Sequence, residues 1–117
     1  MLAALALAIS LPIDRQYILA ETVRPMAEIS SCVALDWENQ GVATVTDTDY
    51  GQRVDYRYSN IGGAVKDPTV TLEIHEGQKR TLLLYGFGTW RGAIKGVWSH
   101  TSKKCAPETK AAPVVKP

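Results

Sequence analysis

Cysteine is nearly absent from this chain: 117 residues hold only Cys32 and Cys105. That excludes a cysteine-rich scaffold and a four-thiolate zinc site. Histidine is as scarce, with His75 and His100 alone. Charge of one sign is also lacking. The formal net charge is +1, so the totals show neither a strongly acidic nor a strongly basic binder. The apolar run Met1–Leu11 falls short of the 17 or so residues a helix needs to cross a bilayer. No internal repeat is present. GFGTWRG lacks the Lys-Ser/Thr ending of a phosphate loop and the spacing of a dinucleotide fingerprint. There is no G-x-S-x-G elbow. Asn39 and Asn60 are not followed by the Ser or Thr of a glycosylation acceptor.

What is present suits one folded domain. Hydrophobic residues make up 45% and charged residues 21%, within the globular range. Residues 1–11 (MLAALALAISL) resemble the apolar middle of a secretory signal, with Ala8-Ile9-Ser10 as a small-residue processing site. No basic residue precedes Arg15, and a short buried N-terminal element is the alternative use of the same run. Cys32 and Cys105 form an even pair at wide spacing, which predicts one bridge in an oxidising compartment, secreted or periplasmic. The domain is placed at residues 12–105. The tail 106–117 holds three prolines and few large apolar groups, and disorder is expected there.

Pro25 suits the first turn of a helix. Met26, Ile29, Val33 and Trp37 then recur at steps of three and four, one face of a helix. Asp14–Val23 is read as helical as well, either separate or as the first half of a kinked helix broken at Arg24. After Gly41 the period becomes two. Val42–Thr48, Arg53–Ser59, Thr69–His75 and Arg80–Phe87 are four strand candidates. Val54, Tyr56, Tyr58, Val70, Leu72, Ile74, Leu82 and Leu84 point inward, and Arg53, Asp55, Arg57, Glu73 and His75 outward. Thr89 opens a short helix carrying Trp90, Ile94, Val97 and Trp98. The expected fold is α+β: an antiparallel four-stranded meander covered on one face by an N-terminal helix and a short C-terminal helix.

Charge is distributed unevenly. Residues 1–78 carry five basic and eleven acidic groups; residues 79–117 carry eight basic groups and only Glu108 as an acid. The basic segment either leans on the acidic one or is kept for a partner. Tyr85 and Leu83 fall on the polar sheet face. With Arg57, His75 and the Gly62–Gly63 connection, Tyr85 outlines an aromatic and arginine binding surface of the kind found at protein interfaces. The function expected is a small exported domain that binds another protein or envelope component, of inhibitor, immunity or accessory type. No catalytic residue, metal or cofactor is assigned, and nucleic acid is not an expected partner. One alternative is a small hydrolase or metal-dependent enzyme using His75 with nearby carboxylates. Another is a peripheral binder of anionic membranes through Trp90, Trp98, Arg91 and Lys95. Nothing in the sequence sets the oligomeric state.

Overall fold

A computed structural model of the chain describes residues 17–39, 41–60, 63–64, 68–107, 109 and 114–115. The described chain opens on a strand, β1 (Tyr17–Thr22), followed by α1 (Met26–Trp37). Four strands come next: β2 (Gly41–Asp47), β3 (Gly51–Asn60), the two-residue β4 (Gly63–Ala64) and β5 (Val70–His75). Then β6 (Arg80–Gly86) leads through a 3-10 turn (Gly88–Ala93) into α2 (Ile94–Cys105), and β7 (Val114–Val115) ends the series. The sheet runs β2-β3-β5-β6-β1-β7, and β4 pairs with β3 beside that path. Every pairing is antiparallel.

The expected four-stranded sheet is therefore corrected. Five long strands form it, flanked by two helices. The fifth is β1, in the segment read as helical. Its apolar residues tolerate a helical period, but its backbone pairs along its full length with β6, Ile18 opposite Leu84 and Ala20 opposite Leu82. Pairing turns Ile18, Ala20 and Thr22 toward the helices, and Ile18 and Thr22 are buried. A six-residue segment gains more from a ladder and a shared core than from isolated helix propensity. The sheet-covering helix is thus the connection from β1 across the sheet to β2. The second helix is not short either: it has 12 residues behind its 3-10 lead.

One face of the sheet carries the main core. Val54, Tyr56, Val70, Leu72, Ile74, Leu82, Leu84 and Ile18 meet Ile29, Val33 and Trp37 of α1 and Ile94 and Trp98 of α2. Cys32 and Cys105 are joined in a disulfide with Cα atoms 5.5 Å apart. It closes a separation of 73 positions, for which chain entropy assigns about 4–5 kcal/mol. The opposite face is less wet than its alternation suggests. Asp55 and Thr71 are buried, and Leu83 is fully buried there, with Glu73 of β5 opposite it on one side and Leu19 of β1 on the other. The expected signal remnant at 1–11 lies outside the described residues. So does most of the tail, although Val114 and Val115 pair with Ile18 and Tyr17.

Candidate functional site

The disulfide sets the register of the two helices. Asp36 lies one turn beyond Cys32 on α1, and Thr101 one turn before Cys105 on α2. With the helices running in opposite directions, these two meet. Thr101 Oγ1 donates to Asp36 Oδ2 at 2.9 Å, and Trp37 Nε1 donates to the same hydroxyl at 2.9 Å. Lys104 Nζ donates to Asp36 Oδ1 at 3.1 Å, and His100 Nδ1 lies 3.3 Å from Oδ2. The Asp36 side chain is 3% exposed, whereas those of His100 and Lys104 are 66% and 54% exposed. A buried acid is thus held from below by Thr101 and capped at the surface by Lys104 and His100. Burial alone raises the pKa of Asp36. The hydrogen bonds from Thr101, Lys104 and His100, with the charge of His100, outweigh it and hold the carboxyl below its ordinary value.

Beside this node lies an open cleft of about 350 Å³, at the small end of the range for ligand sites. Trp37, Tyr56, Val70, Trp90 and Val97 form its apolar walls, and Asp36, Asn39, His100, Thr101 and Lys104 its polar side. The aromatic walls brace one another. Tyr56 stands edge-on to both Trp37 and Trp90, with ring centroids 6.0 Å apart in each pair. Tyr58 reaches Trp90 at the same distance. Asn39 Nδ2 donates to the Asp36 carbonyl at 3.1 Å, just past the end of α1. Gly86 seats Trp90: a Cβ there would fall 2.6 Å from the Trp90 carbonyl oxygen. Only a residue without a side chain lets the 3-10 turn fold so closely over the end of β6.

The surface expected from the sequence is arranged differently. His75 Nε2 lies 2.8 Å from Glu73 Oε1, and Tyr85 donates its hydroxyl to Glu73 Oε2 at 2.6 Å. The Tyr50 ring stacks on His75 with centroids 4.0 Å apart. Next to them Asp55 accepts from Thr71 at 2.6 Å and from Arg53 Nε at 2.9 Å. The structure thus joins His75 and Tyr85 through one carboxylate, all of them half-buried. Arg57 contacts Thr44 on β2 at 3.4 Å instead, and Gly63 pairs with Asn60. Gly62 lies outside the described residues. Trp98 is buried in the core, while Trp90 is only partly covered.

Trp37, Tyr56, Asp36 and Thr101 did not stand out in the sequence as site residues. One pattern could have found two of them. Asp36 is an acid three positions beyond Val33, inside a stripe that is otherwise buried, and such an acid needs partners. If Cys32 pairs with Cys105, one helical turn along each chain brings residue 36 to residue 101. Among the described residues, no group of three His, Cys, Asp or Glu side chains is placed to hold a metal ion. No described helix is long and apolar enough to cross a membrane. Comparison with known protein families, curated proteins and solved structures finds no match to this chain.

Proposed function

We propose that this chain is a small exported domain that binds a partner protein and performs no chemistry of its own. The cleft between α1, α2 and β3 is the recognition site in this reading. The observation that carries it is the combination of braced aromatic walls with a polar side whose groups are already committed. Both oxygens of Asp36 are occupied, Oδ1 by Lys104 and Oδ2 by Thr101 and His100. The Thr101 hydroxyl gives its proton to Asp36 and accepts the Trp37 indole. A general base must be basic enough to take a proton from substrate, and Asp36 is buried and held below its ordinary pKa by these partners, which makes it a weak base. Fixed rings and fixed donors suit recognition, where rigid aromatic anchors carry much of the binding energy.

The occupant that fits is a protruding apolar side chain with acidic neighbours. The apolar part fills the space between Trp37, Tyr56 and Trp90. The acidic part faces the rim of the cleft, where the half-exposed Lys104 of α2 lies. Export is supported by the Cys32–Cys105 bridge, since such bonds persist in secreted and periplasmic settings.

The test is a fluorescence titration of the oxidised protein with short acidic peptides carrying a central Leu or Phe. Trp37 and Trp90 report directly on the cleft. Saturable binding that weakens with salt, and at least tenfold with Trp90→Ala, is the expected result. Binding that Trp90→Ala leaves unchanged, or no binding by any such peptide, overturns the proposal.

A further inference from the structure

β2 lies at one end of the strand order. Among the described residues β2 pairs with β3 alone, while the opposite edge, β1, carries β7 on its first two residues. Natural edge strands are guarded by lysine, proline, bulges or short length. β2 has seven residues, GVATVTD, with no proline, no lysine and a single charge at its last position. Its register with β3 is unbroken from Gly41 opposite Tyr58 to Asp47 opposite Gln52, so no bulge twists it away. Val42 and Val45 are 43% and 40% exposed.

The hydrogen-bond phase of this edge follows from its hairpin. Thr48 and Gly51 exchange both backbone bonds, N–H to carbonyl at 3.0 and 3.3 Å. Bonded pairs alternate along an antiparallel ladder. Thr46, Thr44 and Val42 therefore aim their backbone groups at β3. Asp47, Val45, Ala43 and Gly41 aim theirs outward.

We propose that β2 pairs antiparallel with β2 of a second copy, about a two-fold axis through Thr44. Backbone phase permits antiparallel self-pairing in any strand, and here the length and side chains of β2 select the register. Centring on Thr44 sets Ala43 opposite the partner's Val45 and Gly41 opposite the partner's Asp47. Every outward N–H and C=O of the four residues then has an opposite number. No two like charges of β2 meet, since each Asp47 faces a glycine. The two Thr44 side chains face each other in the unbonded position, where side chains come closest and Thr–Thr contacts are favourable. Shifting the axis to Ala43 or Val45 leaves outward groups at one end unpaired. A two-fold axis of this kind stands perpendicular to the sheet, so the helix layers of both copies lie on one side. A single sheet with ten long strands results, with both clefts on that side, which raises avidity for a partner that presents two anchors.

A cysteine at position 44 tests the register. The structure's only described cysteines are already bridged, so Thr44→Cys supplies a lone thiol. Opposed Cα atoms in an unbonded antiparallel pair lie about 4.5 Å apart, within reach of a disulfide. Mild oxidation of Thr44→Cys is expected to give a covalent dimer on a non-reducing gel. Ala43→Cys, whose thiols are offset by two residues, is expected to stay monomeric on the same timescale. Sedimentation of the unmodified protein should show a reversible dimer in the micromolar to millimolar range. Thr44→Lys should abolish it while leaving the circular dichroism and the unfolding transition intact. A protein that remains monomeric throughout, or that takes an extended peptide on β2 in place of a second copy, overturns the proposal. So does an Ala43→Cys variant that cross-links as readily as Thr44→Cys.

Discussion

The indole of Trp37 and the hydroxyl of Thr101, 64 positions apart, meet in a 2.9 Å hydrogen bond that is buried on both sides. The same hydroxyl donates to Asp36, so a single oxygen links an aromatic cleft wall to the buried acid. Thr101→Val keeps the shape and removes both bonds. It leaves the buried Trp37 N–H without this partner, at a cost of about 1–3 kcal/mol, and Asp36 Oδ2 with His100 in place of two partners. Thr101→Ser, which keeps the hydroxyl, should cost less. Urea unfolding of the two oxidised variants checks the order.

Acid should act through Asp36. Its carboxyl is held below the ordinary Asp value of about 3.9, so the unfolded chain takes up this proton more readily than the folded one. The stability it contributes is present above the ordinary value and is lost as pH falls through the lower folded value. Asp36→Asn is expected to lower stability at neutral pH and to flatten the acid limb of the unfolding midpoint against pH. A limb equally steep in the variant would assign acid sensitivity to other carboxylates.

Reduction should cost more than any single side chain near it. The bridge ties α1 to the final turn of α2, and the chain-entropy model gives about 4–5 kcal/mol for a loop of this length. The Cys32→Ser, Cys105→Ser double variant should unfold at markedly lower urea than the oxidised protein, and reductant should shift the parent protein but not the variant. Intact mass should rise by two hydrogens on reduction.

Leu83 tells where sequence reading reaches its limit. Strict alternation put it on the polar face, and the structure keeps it on that face but fully buried. Alternation reports which way a side chain points. It does not report how crowded that side is, because the flanking side chains depend on strand order. β6 is interior only because β1 pairs beside it, and β1 was the segment whose period misled. Tyr17–Thr22 is too short for its period to separate helix from strand, and only the partner strand decides. By contrast, the α1 stripe, the strands after Gly41 and the pairing of Cys32 with Cys105 were legible, since each rests on local spacing or on an even count. The cleft was not legible. Asp36, Tyr56 and Trp90 come from three separate elements, and their meeting depends on the register that the bridge imposes. Leu83→Ala should therefore cost about 2–5 kcal/mol, as a core leucine does, and should match Leu84→Ala on the helix-facing side. A cost below that range in urea unfolding would show that the second face is only loosely packed.

Gly86 connects the stability of the sheet to the shape of the cleft. It is the last residue of β6 and is paired with Val70, which lines the cleft. An added Cβ would stand 2.6 Å from the Trp90 carbonyl oxygen, 2.8 Å from its carbon and 3.1 Å from Ile94 Cγ2. Two of those three atoms are backbone and cannot rotate aside. Gly86→Ala must therefore push the 3-10 turn outward and carry the Trp90 ring away from Tyr56. Overpacking of this kind costs about 1–3 kcal/mol. The loss of stability should come with a red shift of tryptophan emission as Trp90 gains water. Trp90→Ala should remove that shift without restoring the full stability, because the backbone clash remains. If Gly86→Ala lowered stability with no spectral change, the strain would have been relieved on the sheet side, and Gly86 would have no part in shaping the cleft.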